Sequence, residues 1–311
     1  MRNDAMVAER LKDWGDSLAQ LIPILEGDPA TQTLDELRDN YVTMLKGHPV
    51  PENLIVEHAD LGGVPGTVIM PPEVIEGRTL VYFHGGAYIF GASAGYVGLG
   101  GRLALALKAK VVLPDYRLAP EHAYPTPIED CLAVYKWLLD EGHDPDQLVF
   151  AGDSAGGSLT VSVMVHARDA GLPLPAGGVA ISPWADLEHT GSSMTSRHGI
   201  DPLCTKDALD VQARTFLAGA AANSPDASPV FADVSGLPPI LVQIGENEVM
   251  LSGAMRLATH LAENGVRTTL EVWPGMFHVW HLFAAILPDG QQAINNAADF
   301  LRQAIETRRN A

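Results

Sequence analysis

The sequence predicts an α/β fold: a mostly parallel central sheet of about eight strands flanked by helices, with a helical cap. Two observations predict it. From residue 80 onward, short wholly apolar runs alternate with longer amphipathic ones. That is the pattern of parallel strands buried on both faces and joined by crossover helices. The alternation is broken once, over residues 185–236, by a stretch rich in Ala, Ser, Asp and Pro with no strand pattern. It is too long for a plain connection and reads as a cap.

Taken in order, two helical patterns open the chain. Leu11, Trp14, Leu18, Leu21 and Ile22 recur at helical spacing until Pro23 interrupts them. Thr33 and Glu36 have the spacing of a capping box ahead of Leu37, Val42 and Leu45, and Gly47 and Pro49 stop that helix. Leu54–Val56 and Thr67–Met70, parted by Gly62-Gly63 and Pro65-Gly66, predict a hairpin. The strands expected next are Leu80–Phe83, Val111–Leu113, Leu148–Phe150, Val179–Ile181, Ile240–Ile244 and Thr268–Val272. The expected helices are 97–108, 128–140, 157–168, 251–264 and 291–308. The organisation is then N-terminal cap helices over 1–46, a first core part over 47–184, the cap insertion 185–236 and a second core part over 237–311.

Composition limits the function classes. The chain of 311 residues is 47% hydrophobic and 19% charged, which excludes a disordered class. Its 38 acidic against 20 basic residues give a net charge of −18. Such a surface repels phosphate backbones and anionic headgroups, so no nucleic-acid or membrane partner is expected. No run reaches roughly 18 apolar residues. Cys131 and Cys204 are read as free thiols, with Cys131 packed in a helix. Together with an N-terminus lacking an apolar leader pattern, they predict a cytoplasmic protein.

The chemistry begins at Gly152-Asp153-Ser154-Ala155-Gly156, a G-x-S-x-G run directly after a strand and before a helix. A chain turning that sharply strains the serine, and small neighbours prevent clashes. The hydroxyl of Ser154 then stands over a helix N-terminus, where partial positive charge favours an anion. A nucleophile attacking a carbonyl creates an oxyanion that needs N–H donors. His84-Gly85-Gly86-Ala87 follows another strand, and its glycines let the backbone come close. Gly85 and Gly86 are assigned as donors, with Ala155 after the nucleophile. His84 is read as bracing that loop.

These runs, with Asp115-Tyr116-Arg117-Leu118-Ala119-Pro120-Glu121, Pro183-Trp184 and Asp201-Pro202, resemble the bacterial hormone-sensitive-lipase-like esterases of the α/β-hydrolase superfamily. The family's best-known form has a third glycine where Ala87 stands. Alanine keeps the N–H, so a third donor there depends on whether the loop needs φ > 0.

The α/β-hydrolase order is serine, acid, histidine. Of the histidines after Ser154, His166 and His260 fall on core helices, and His189 and His198 in the cap insertion. His278 and His281 remain, after the last strand. The resemblance implies His278 as base; His281, one helical turn on, is read as packing or as a group supporting the base from behind. It also implies Glu248 as acid, at a position where relatives commonly carry aspartate; Glu246 is its rival. Tyr88, Phe90, Trp184 and Phe216 are candidates for the substrate pocket, with core packing as the alternative. Arg117 and Glu121 are read as a bracing ion pair, and Ala119-Pro120 and Tyr124-Pro125 are candidates for cis peptides.

The resemblance implies hydrolysis of small to medium, fairly hydrophobic esters through an acyl-enzyme, with no metal and no organic cofactor. The expected partner is a small-molecule ester or lactone, and a homodimer stays open. Relatives with a glutamate acid resemble lactone hydrolases, and an amidase is a nearby alternative. A non-catalytic binding protein, like the plant gibberellin receptors, would lack the histidine that stands here as His278.

Overall fold

A computed structural model describes residues 7–9, 11–13 and 33–309. Trp14, Leu18, Leu21 and Ile22 of the first helical pattern lie outside the described residues.

Helix α1, Leu34–Lys46, carries the expected capping box: Thr33 accepts from the Glu36 N–H while the Glu36 carboxylate accepts from the Thr33 N–H. Strands β1 (Ile55–Asp60) and β2 (Pro65–Met70) form the antiparallel hairpin. The alternation then follows as β3 (Thr79–Phe83), α2 (Val97–Leu107), β4 (Lys110–Pro114), α3 (Thr126–Asp140), β5 (Leu148–Asp153), α4 (Ala155–Asp169) and β6 (Gly177–Ile181). After residues 182–239 come β7 (Ile240–Gly245), α7 (Leu251–Glu263), β8 (Thr268–Trp273) and α8 (Pro288–Arg309). Residues 185–236 hold α5 (Ser193–Ser196), α6 (Lys206–Leu217) and a 3-10 turn at Pro229–Phe231, with no strand. Each expected strand is present, most of them longer by a residue or two.

The eight strands lie in one sheet in the order β1-β2-β4-β3-β5-β6-β7-β8. The pairs from β4–β3 to β7–β8 are parallel, and β2 joins β4 antiparallel. Successive residues of one strand point to opposite faces. In β3, Val81 and Phe83 enter one core with Ile128 of α3 and Leu159 of α4. Leu80 and Tyr82 enter the other with Leu103 of α2 and Leu301 of α8. Both faces are therefore dry, which is why these strands read as continuous apolar runs rather than alternating ones.

The ion-pair expectation near residue 117 needs correction. Arg117 pairs with Asp130 on α3 at 2.6 Å, and its own N–H donates to the same carboxylate. Glu121 instead receives both guanidinium nitrogens of Arg38 from α1. Asp130 is nearly buried beside Arg117, whereas Arg38 comes from a remote element that only the fold brings near. Ala119-Pro120 and Tyr124-Pro125 are cis.

Candidate active site

Ser154 sits in the turn between β5 and α4, with φ 55° and ψ −118°. An L-residue there is strained, and the neighbouring glycines make the turn feasible. A Cβ at Gly156 would run into the Phe83 carbonyl, and one at Gly152 into the Gly156 carbonyl. The serine is thereby held over the first turn of α4, whose Ala155 N–H has no intrahelical acceptor.

Two segments reach the serine's neighbourhood from β7 and from the loop after β8. Glu248, fully buried, lies in the turn after β7. One of its oxygens, Oε2, is 2.8 Å from His278 Nδ1. The other, Oε1, accepts from the Gly245 N–H at 2.6 Å and from the Ser182 hydroxyl at 2.7 Å. Burial of His278 disfavours its charged form, but the Glu248 hydrogen bond and charge, with Asp201 and Asp153 adding, outweigh that and raise its pKa. Ser154, His278 and Asp153 border one cavity of about 220 Å³.

The rivals are placed elsewhere. Glu246 is exposed, and its carboxylate accepts from the Gly275 N–H. His281 is buried and contacts Gln243 at 3.0 Å. Burial and the charge of His278 push its pKa down to about 3, so it is a neutral, packed ring. His84 stacks on Tyr116 with centroids 4.2 Å apart, and its Nδ1 is 2.8 Å from the Gly85 carbonyl. This is a bracing position.

The donor loop differs from expectation at one residue. The Gly85 N–H already donates to Asp153 Oδ1 at 3.0 Å and to the Tyr96 hydroxyl at 3.1 Å. It cannot turn toward an oxyanion, and a Cβ at Gly85 would run into the same buried carboxylate. Among the described residues, the N–H groups of Gly86, Ala87 and Ala155 have no acceptor, and Gly86 and Ala87 border the cavity. Ala87 has φ 55°, the left-handed region where glycine is easier, and it keeps its N–H there.

Of the four pocket candidates, Phe90 and Trp184 border the cavity. Tyr88 and Phe216 do not. Their rings stack on each other at 3.8 Å, and both are buried. The aromatic type alone did not separate the two situations. Other contributors were not among the candidates. Tyr41 brings α1 to the cavity, and Leu209 of α6 lines it from within residues 185–236. Ser182 donates to Glu248 and accepts from the Val279 N–H at 3.2 Å, tying the acid to the histidine's loop. Its signal was its place: it follows β6, the strand beside the nucleophile's strand, just before Pro183-Trp184.

A family model described as alpha/beta hydrolase fold matches residues 80–282. An acetyl-hydrolase of Streptomyces hygroscopicus is 41% identical over 254 residues, covering 79% of this chain and 85% of the relative. An esterase of Acinetobacter venetianus is 31% identical over 241 residues, covering 77% of this chain and 79% of the relative. Among solved structures, an esterase from the bacterial hormone-sensitive lipase family superimposes with a TM-score of 0.86 at 41% identity, covering 93% of this chain and 98% of that one.

Proposed function

The chain belongs to the α/β-hydrolase family, with esterases of the bacterial hormone-sensitive-lipase group as its relatives, and from that premise we propose a mechanism in which Ser154 attacks the carbonyl of a small carboxylic ester. The enzyme is a carboxylic-ester hydrolase. His278 Nε2 takes the Ser154 proton as the Oγ–C bond forms. Its Nδ1–H stays on Glu248, which fixes the tautomer and stabilises the imidazolium. The N–H groups of Gly86, Ala87 and Ala155 receive the oxyanion; each such donor contributes about 2.7–4 kcal/mol in comparable sites. The alcohol leaves with the proton from His278. Water, deprotonated by the same imidazole, then attacks the acyl-serine and releases the acid.

The observation that carries this reading is the buried Glu248–His278 contact on the cavity that also holds the strained Ser154. The largely apolar lining, with Phe90, Trp184, Leu203 and Met250, suits hydrophobic acyl groups. No helix among the described residues is long and apolar enough to cross a membrane. Buried Cys131 and half-buried Cys204, both unpaired, support a reducing, cytoplasmic setting. The test is a hydrolysis panel of acyl esters, lactones and amides, combined with a serine-directed sulfonyl fluoride. Ester turnover with one adduct on Ser154 supports the mechanism. An adduct on another serine, or amide turnover above ester turnover, overturns it.

A further inference from the structure

Behind the pocket wall formed by Trp184 runs a polar chain that the hydrolytic steps do not use. The Trp184 indole N–H donates to His189 Nε2 at 2.8 Å. The two rings lie within 9° of parallel, with centroids 5.8 Å apart. On its other side, His189 Nδ1 is 2.7 Å from Asp210 Oδ1, and Asp210 Oδ2 pairs with Lys206 at 2.6 Å. Asp210 and Lys206 belong to α6, which also supplies Ala208, Leu209 and Gln212 to the cavity.

One proton arrangement satisfies every member. His189 is neutral, its Nδ1–H donates to the Asp210 carboxylate, and its bare Nε2 accepts the indole N–H. His189 is buried and has φ 53°, a conformation costly for a non-glycine residue. The fold thus holds a strained, buried histidine between a pocket wall and a cap helix. The Trp184 main chain is fixed separately, its N–H donating to the Ser154 carbonyl at 3.0 Å. The indole packs against the Tyr88 ring, centroids 6.0 Å apart, and among the described residues His189 is the acceptor of its N–H.

We propose that His189 is a positioning residue that locks the Trp184 wall to the cap helix α6 and so sets which acyl or alcohol group the cavity accepts. This rests on the cavity being the substrate pocket. His189 does not border the cavity, so it acts through Trp184. Without it, the buried indole donor has no acceptor, and the ring turns to find one. The wall shifts while the Glu248–His278 contact keeps its own supports, the Gly245 N–H and the Ser182 hydroxyl on Glu248.

The experiment is a double-mutant cycle with p-nitrophenyl acetate, butyrate and octanoate, with folding followed by circular dichroism. His189→Phe keeps an aromatic ring on Trp184 but removes both hydrogen bonds; Trp184→Phe removes the donor. His189→Phe is expected to raise KM for the butyrate ester by about fivefold or more and to change the butyrate-to-acetate preference, with kcat within about threefold. In the Trp184→Phe background the same substitution should change KM by less than about twofold, because the coupled partner is already gone. His189→Gln, which keeps an acceptor for the indole, should restore much of the wild-type selectivity. If His189→Phe does not fold, Asp210→Asn serves instead, with a smaller shift in the same direction. Effects of the two substitutions that simply multiply, or an unchanged preference in the folded variant, overturn the proposal. A wild-type protein that hydrolyses none of the three esters overturns the reading of the cavity itself.

Discussion

Removing the Ser154 hydroxyl takes away the nucleophile proposed at the strained turn on the cavity. Ser154→Ala should lower kcat by about 10⁶ in a folded protein, and His278→Ala by a similar factor, since nucleophile and base act as a unit. His281→Ala should leave kcat within about tenfold, because its ring contacts Gln243 rather than the reacting atoms. Kinetics of the three folded variants check this; a larger loss in His281→Ala than in His278→Ala would reassign the base. The acid is tested by pH as well as rate. Glu248→Gln should cost about 10⁴ in kcat, while Glu246→Gln stays within roughly tenfold. His278 must be neutral to accept the proton, and its pKa is raised. Activity should therefore fall as pH drops through a value above the ordinary imidazole value of about 6.5. Glu248→Gln removes the main raising influence, so its residual activity should persist to lower pH. An acid limb unmoved in that variant would detach Glu248 from His278. At this scale the sequence was informative where chemistry restricts residue type. It misassigned Gly85 as a donor, because whether a backbone N–H faces the cavity or a buried Asp153 depends on the loop's path.

Between elements, the donor loop is held from two sides. Arg38 on α1 donates from Nε to the Ile89 carbonyl at 2.9 Å and from an Nη to the Ala119 carbonyl at 2.8 Å, and forks onto Glu121. The Ala119 N–H in turn donates to the Tyr88 carbonyl. The strained stretch from Gly86 to Tyr88 is thus clamped by a charge from another element. Arg38→Ala should lower kcat several-fold with a smaller change in KM, since the donors lose their support rather than the substrate its contacts. It should also lower stability by about 1.5–3 kcal/mol, the scale of hydrogen bonds to a charged group. Arg38→Lys should recover only part of this, since an ammonium cannot make the planar fork. Thermal melts and steady-state kinetics of the two variants decide it; kcat unchanged in a destabilised Arg38→Ala would confine Arg38 to a stabilising role. Periodicity and capping residues made α1 and the strands readable, because those signals are local. The Arg38–Glu121 fork was not, as its partners are 83 residues apart. Nothing in a single sequence distinguishes Arg117 from Arg38 as the partner of Glu121.

At the scale of the whole molecule, residues distant in the chain converge on the cavity: Tyr41 from α1, Leu209 and Gln212 from α6, and Val279 and Leu282 after β8. The parallel sheet places its C-terminal strand ends there, as open α/β sheets place their ligands, and the inserted residues narrow the space above. The resulting cavity of about 220 Å³ lies below the roughly 300–1,000 Å³ of pockets for drug-sized ligands. Short acyl groups fit such a space, and longer ones must displace a wall. In a series of p-nitrophenyl esters with solubility controlled, kcat/KM should peak at short chains. By octanoate it should fall by roughly tenfold, a cost near 1.4 kcal/mol. Tyr41 is the wall best suited to test the contribution of α1, since it borders the cavity without touching the Glu248–His278 pair. Tyr41→Ala should move the optimum toward longer chains while the acetate ester keeps most of its rate. The ratio of octanoate to acetate kcat/KM in the two proteins is the deciding measurement. A ratio unchanged by Tyr41→Ala would mean that α1 does not limit the acyl group, and a wild-type profile flat to octanoate would mean that the cavity opens more widely in solution than its walls imply.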